Sequence, residues 1–375
     1  MLNIIKTTDF TDFNFTKVYL MLGEACNYHC RHCVQHDIHN RITKHPSQTT
    51  IEYIKHLANI RPRGFRNISD NIKVIFFGGE PLLYFACIKQ IIESVDVDNV
   101  HYSIISNGEL LTKDIVDYIN QHNITFVLSN DGRQTDKVRD RNLLEDDNWL
   151  KLFKSIKTKS IDATLHAYNL DLYDLWDYVE SKVGNIPIHY EHLVVNWNMP
   201  KDIYDFNYQA WDRTCKRIKD NLFKAYTSSD KNLSDTREAQ FFNRLIQRFY
   251  DFKENKGYYP ACGAFRNNIN IDLDGNVYLC HNGVGKLGKI DQYDDGVNGG
   301  AYYALKASNK FLKIRNADSK PCLSCIAYPF CQQGCPLADN NKGQQACCKV
   351  YQILAKHVIS FMHDIEQYYN TEIDL

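Results

Sequence analysis

Three closely spaced cysteines near the N-terminus, Cys26-Asn-Tyr-His-Cys30-Arg-His-Cys33, are the residues best suited to do chemistry. Separated by three and two residues, their thiolates can converge from one loop on three corners of an iron–sulfur cube. No fourth cysteine stands close by. One iron would then stay open to a ligand from outside the chain, much as a catalytic zinc keeps a vacant position. A zinc knuckle is the alternative use of clustered thiols, but this run offers no nearby fourth ligand.

Composition narrows the setting. The chain has 375 residues and 13 cysteines, and it opens on Met-Leu-Asn-Ile-Ile-Lys, without the apolar stretch and small-residue cleavage site of a secretory signal. These features predict a cytoplasmic, reducing environment in which thiols serve metals or redox chemistry rather than disulfides; an odd count fits the same view. Lys and Arg total 44 against 45 Asp and Glu, a net charge of -1, which argues against binding nucleic acid or an anionic membrane surface by bulk charge. No apolar run approaches the length of a membrane span. At 44% hydrophobic residues, the chain can bury a sizeable core.

The elements that must hold the cysteine loop follow from short β-branched or aromatic segments at residues 17–22, 72–77, 101–106, 125–128, 161–165 and 188–195. Helical periodicity lies between them at 51–60, 88–95, 113–122 and 170–182. Six strands with interleaved helices predict an α/β fold, a partial (β/α)6 TIM-type barrel with its chemistry on the loops after the strands. The cysteine loop follows the first strand, as that rule requires. Residues 1–205 are assigned to this barrel and 206–257 to a bridge of two long polar helices. Residues 258–375 are assigned to a cysteine-rich domain with short strands, Asn-Gly turns and a final helix over 350–369.

The Cys-x3-Cys-x2-Cys loop resembles that of the radical S-adenosylmethionine (SAM) enzymes, and the resemblance extends over nearly the whole chain. In that family the open iron is chelated by the amino and carboxylate groups of SAM. An electron from the cluster then yields a 5′-deoxyadenosyl radical, which takes hydrogen from substrate. Phe77-Gly78-Gly79-Glu80-Pro81 resembles the family's GGEP motif, which implies backbone carbonyls and a carboxylate near the SAM ammonium. Ser106-Asn107-Gly108 and Ser129-Asn130-Asp131-Gly132 resemble motifs whose side chains reach the ribose. Arg139 resembles the arginine that forks onto the SAM carboxylate, with Thr135 where the family has His. His32 stands where an aromatic residue is usual, and an imidazole there can pack beside adenine.

The C-terminal cysteines resemble the seven-cysteine SPASM extension. Twelve residues separate Cys262 from Gly275 and four separate Gly275 from Cys280; then come Cys322-x2-Cys325-x5-Cys331-x3-Cys335 and a last cysteine at 347 or 348. The resemblance implies two auxiliary [4Fe–4S] clusters, three in all. Cys262, Cys280 and Cys335 would serve the first; Cys322, Cys325, Cys331 and Cys348 would serve the second. Cys348 is preferred because Cys348-Lys-Val-Tyr351 enters the last helix in the family's manner. Paired zinc ribbons are the alternative for these thiols. Cys87 and Cys215 fall in helical patterns and read as packed core thiols.

The SPASM group mostly modifies peptides or proteins. The resemblance therefore implies an enzyme that installs a thioether or carbon–carbon crosslink in a ribosomally made peptide. A sulfatase maturase forming formylglycine and an oxidase of small molecules are the alternatives. Maturases carry Asp directly after the cysteine equivalent to Cys280, where this chain has His281, a candidate base. A plain iron–sulfur electron carrier would have no use for Gly78–Pro81, Ser129 and Arg139. Implied partners are a peptide or protein substrate and a low-potential electron donor such as flavodoxin or ferredoxin. About sixteen residues precede the first strand, so leader recognition is expected elsewhere or by a separate leader-recognition protein.

Overall fold

The structure is a computed structural model that describes residues 15–35, 45–59, 71–193, 195, 199–228, 236–253, 268–283, 285–290, 322, 324–331, 334–335 and 342–373. Cys262 lies outside the described residues. Six parallel strands form the barrel wall: β1 (Lys17–Met21), β2 (Ile72–Phe77), β3 (Val100–Ser106), β4 (Thr125–Ser129), β5 (Lys159–Leu165) and β6 (Ile188–His192). They stand in sequential order, each paired in parallel with the next. Helices α1 (Gln48–Asn59), α2 (Phe85–Val95), α3 (Lys113–Gln121), α4 (Asp147–Ser155) and α5 (Leu172–Val183) lie among them in the chain.

Alternation along the strands sets which side chains enter the core. Val18 and Leu20 of β1, and Val74 and Phe76 of β2, are fully buried in the core. Of the intervening residues, Lys17, Tyr19, Lys73 and Phe77 retain some exposure, whereas Met21 and Ile75 are buried as well. The helices answer with periodic apolar faces, such as Ile51, Ile54, Leu57 and Ala58 of α1. Several begin on a side-chain cap: Thr112 for α3, Asp146 for α4 and Asp171 for α5, each accepting from backbone N–H groups of the first turn.

The sheet continues past the barrel sequence. Strands β7 (Asn268–Asp272), β8 (Asn276–Tyr278) and β9 (Lys286–Lys289) extend it on the β1 side to nine strands. β7 pairs in parallel with β1, from Lys17 opposite Asn268 to Met21 opposite Asp272, and β8 and β9 follow as antiparallel neighbours. The expected boundary at residue 258 is therefore crossed by main-chain pairing. Ser47 N and Thr50 Oγ1 both donate to the Leu273 carbonyl, at 2.8 and 3.2 Å, fastening the same strand to α1.

After a short helix α6 (Lys201–Tyr204), the bridge consists of α7 (Tyr208–Thr227) and α8 (Arg237–Lys253). A short α9 (Tyr328–Cys331) follows in the cysteine-rich segment, and the long final helix α10 (Lys342–Ile373) packs along α7. Trp211 of α7 is 0% exposed, and its Nε1 donates to the Val350 carbonyl at 2.9 Å. Lys219 pairs with Asp364 at 2.8 Å further along. No helix among the described residues is long and apolar enough to cross a membrane.

Candidate active site

The loop after β1 is held by main-chain bonds to the loop after β2. Leu22 N donates to the Phe77 carbonyl, Gly79 N to Gly23 O and Glu80 N to Ala25 O, each at 2.9 Å. The approach is so close that a Cβ on Gly78 or Gly79 would lie 2.3 Å from the Gly23 or Ala25 oxygen, and Gly78 has φ +140°. The two glycines thus answer first to the cysteine loop's own backbone. Tyr84 completes the clasp: its hydroxyl accepts from Ala25 N at 3.1 Å, and its ring fills the space a side chain on Gly23 would need.

Glu80 organises the floor beneath. The resemblance assigns it to the SAM ammonium, whereas its carboxylate is turned inward and 1% exposed. Oε1 accepts from Leu82 N at 2.9 Å and from Ser106 Oγ at 2.7 Å, and Oε2 accepts from Asn107 N at 2.8 Å. Burial pushes its carboxyl up to about 6 against the pull of these three donors. Pro81 opens the 3₁₀ turn that Glu80 caps. Ser106, one of the expected ribose contacts, spends its proton on Glu80 and accepts from Gly108 N at 2.9 Å. Asn107 donates to Asn27 Oδ1 at 2.9 Å and lies 3.9 Å from Cys26 Sγ. Ser129 ends β4 in register with Asp162 of β5.

Arg139 is the positive charge of the site. Its guanidinium is 11% exposed and forks onto Asp131, which is fully buried, with Nε donating at 2.6 Å and Nη2 at 3.2 Å. Burial raises Asp131, but Arg139 together with the neighbouring His32 and His166 holds the carboxyl down at about 2. Burial pushes the Cys30 thiol up to about 12, and the same arginine pulls against that rise. Cys26 and Cys33 are raised mainly by burial, while Tyr28 N and Gln35 N each donate to the respective sulfur at 3.4 Å. Thiols in this condition become thiolates only against a cation, which is what the irons of a cluster provide. The donor set, with its N–H groups and neighbouring arginine, fits an iron–sulfur cluster. His32, between two of the cysteines, is kept neutral by burial, with a pKa near 3; its ring lies 6.1 Å from that of His166.

Long-range partners that no local motif announces hold the loop's outer side. His29 N donates to the Asp140 carboxylate at 2.9 and 3.0 Å. Arg31 forks onto Asp202 at 2.8 and 2.9 Å and also donates to the Lys137 carbonyl. Tyr28 donates to Glu109 at 2.7 Å.

The C-terminal thiols fall in two places. Cys280 follows β8, and the turn it begins reaches the mouth of the barrel: a Cβ on Gly283 would lie 3.2 Å from Met21 Sδ. His281 stacks on Tyr19 of β1 with ring centroids 4.8 Å apart and meets Phe77 of β2 edge-on at 4.6 Å. Burial lowers its pKa to about 4, so the imidazole is neutral at pH 7. Asn282 donates to Cys280 Sγ from both its N and its Nδ2, at 3.5 Å each.

The other place lies against α10. Cys325 N donates to the Cys322 carbonyl at 3.0 Å, and burial together with the charges of Cys322 and Cys325 raises the Cys348 thiol. Cys347 turns away; it is 6% exposed and donates to the Leu193 carbonyl at 3.7 Å. Among the described residues no three ligating side chains close on a single ion. The corners of a cube set thiolates farther apart than one ion would. Cys87 and Cys215 are buried in the core.

Residues 20–178 match the model of the Radical SAM superfamily. The radical SAM cyclopropyl synthase TigE of Paramaledivibacter caminithermalis is 22% identical over 93% of this chain and 76% of its own length. The structure of anSMEcpe with bound AdoMet and Cp18Cys peptide covers 95% of this chain and 99% of its own, with TM-score 0.65 and 16% identity. Streptococcus suis SuiB bound to precursor peptide SuiA covers 89% and 77%, with TM-score 0.60 and 17% identity. The cysteine loop on the first strand of the parallel half-barrel, clasped by the Gly-Gly-Glu turn, lies inside the segment 20–178, which is a radical SAM domain, and the chain as a whole shares its fold with anSMEcpe and SuiB.

Proposed function

We propose that the chain oxidatively modifies a peptide substrate, forming a thioether or carbon–carbon crosslink in a ribosomally made peptide. The observation that carries this reading is the position of the Cys280–Gly283 turn. It brings a second thiol site and a neutral imidazole to the same barrel mouth that the Cys26 loop occupies, beside Tyr19, Met21 and Phe77. Two of the similar structures hold peptides, the Cp18Cys peptide and the precursor SuiA, which supports a peptide as the substrate class.

When bound, the cluster and SAM supply a 5′-deoxyadenosyl radical that takes hydrogen from substrate. The chain's own residues divide the remaining work. Cys26, Cys30 and Cys33 hold the cluster, and Arg139 compensates the charge of the thiolates. Gly78, Gly79, Glu80, Ser106 and Asn107 fix the cysteine loop, leaving main-chain groups of the Gly-Gly turn, together with Pro81 and, two strands away, Ser129, to contact SAM. Cys262, Cys280 and Cys335 hold one auxiliary cluster; Cys322, Cys325, Cys331 and Cys348 hold the other. His281 borders the substrate space as a neutral acceptor. A low-potential flavodoxin or ferredoxin supplies electrons, and a separate protein presents the leader of the precursor.

Two measurements test this. Anaerobically reconstituted protein should contain about twelve irons per chain, three cubes' worth, and a count of about four would sink the auxiliary clusters. Incubation with SAM, dithionite and short Cys- or aromatic-containing peptides encoded beside this gene should remove the mass of two hydrogens from one of them. Conversion of a sulfatase Cys or Ser peptide to formylglycine, with no peptide crosslinked, would replace this reading by the maturase.

A further inference from the structure

α10 carries more toward the second thiol group than Cys348. Gln352 stands four residues further along, on the same face of the helix one turn away. Its Nε2 donates to Cys325 Sγ at 3.4 Å. One helical face therefore presents both a thiol to the Cys322–Cys325 group and an amide N–H to one of its sulfurs, while Cys347 points at Leu193 instead. In the N-terminal loop Cys26 and Cys33 accept from the main-chain N–H groups of Tyr28 and Gln35 at 3.4 Å, and the Asn107 amide reaches Cys26 only at 3.9 Å. At Cys325 the donor is a side chain and is open to change.

We propose that Gln352 tunes the reduction potential of the cluster at Cys322, Cys325, Cys331 and Cys348, a proposal that rests on the reading of those four thiols as cluster ligands. The physical cause is direct. A cluster that gains one electron spreads the added charge over its sulfurs, so an N–H donor on a ligand sulfur stabilises the reduced form more than the oxidised one. Removing the donor should make the cluster harder to reduce. A carboxylate in the same place should make it harder still. The electron comes from the external reductant; no bond in the protein forms or breaks, and no proton moves. Gln352 acts through Cys325 and is a positioning residue, not a catalytic one.

The test is an anaerobic redox titration of the reconstituted full chain, followed by electron paramagnetic resonance, for wild type, Gln352→Leu and Gln352→Glu, with iron and sulfide counted in each. At the poise where half of this cluster is reduced in wild type, the Leu variant should show a reduced-to-oxidised ratio three- to tenfold lower, tenfold being about 59 mV for one electron. The Glu variant should fall further, the other two clusters should keep their potentials, and the iron count should be unchanged. Three clusters present with no potential moved in either variant would overturn the role of Gln352 alone. Loss of about four irons in both variants would make Gln352 a scaffold and overturn tuning as well. A wild-type count of about four irons would instead overturn the ligand reading beneath it.

Discussion

The two thiol sites are built by different means. The N-terminal loop holds its three cysteines within eight residues and is laced by main-chain bonds to the Gly78–Glu80 turn, over a carboxylate that accepts three donors. The C-terminal thiols are gathered from a hairpin, a short helix and the face of α10, and two of their sulfurs accept from the side-chain amides of Asn282 and Gln352. The first arrangement brings two loops together through main-chain bonds, so it depends on glycine at the points of closest approach, with Glu80 and Tyr84 supporting it from their side chains. The second depends on particular side chains, so its properties can change without unmaking the fold. A site that must present one open iron in a fixed pose suits the first plan. Sites that differ from one enzyme to the next suit the second.

The largest effect that can break this contrast is on catalysis. Changing Cys26, Cys30 and Cys33 to Ala should abolish 5′-deoxyadenosine formation from SAM and dithionite while leaving about eight irons in the C-terminal sites. Persistent SAM cleavage would show that the loop is not the site.

Within the C-terminal group, Cys348→Ser should lose about four irons, and Cys347→Ala should lose none, because its sulfur faces Leu193. Iron analysis of the two variants side by side decides between the neighbours, and the reverse result would reassign the ligand.

Stability should report the clasp of the first site. Glu80→Ala strands the Leu82 and Asn107 N–H groups and the Ser106 hydroxyl, buried donors worth about 1–3 kcal/mol each when unsatisfied. Denaturant unfolding of the apo chain should therefore shift by several kcal/mol. A change under about 1 kcal/mol would mean that water or a neighbour takes over these donors.

The smallest effect is expected at His281. Its ring packs on Tyr19 and Phe77, and a crosslinking reaction that places the substrate thiolate or radical partner on an auxiliary iron needs no base there. His281→Ala should keep at least about a tenth of wild-type turnover on the true peptide, a loss within 1.4 kcal/mol of barrel-mouth packing. A collapse of turnover with the peptide still bound would make the imidazole the proton acceptor.

Much of this was legible before any coordinates. Five of the six barrel strands fall within two residues of their expected bounds, because each is a short β-branched or aromatic run between helical patterns; β6 ends at His192, three residues early. The cysteine loop was legible because its three thiols are local in sequence. The partners of that loop were not. Tyr84, Asp140 and Asp202 bond to it across 59, 111 and 171 residues, and no spacing rule reaches so far. For a different reason, β7's pairing with β1 was not legible. Its alternation of Asn268, Asn270 and Asp272 with the buried Ile269 and Ile271 looks like a turn-rich segment among cysteines, yet those Asn residues are buried beside the interior face of β1. The GGEP turn was read toward SAM, and only the tertiary structure shows how much of Glu80 serves the cysteine loop.

The pairing of β7 with β1 also bears on how the chain comes to be folded. β1 is synthesised well before β7, one of its two neighbours, which lies about 250 residues further along. Until that segment emerges, the strand that carries the cysteine loop keeps an open edge, a template for pairing with other chains. Contacts of such sequence separation close slowly and late. A chain cut before residue 268 would therefore hold Cys26, Cys30 and Cys33 and still be prone to aggregate, so the barrel should be expressed together with the strands that complete its sheet.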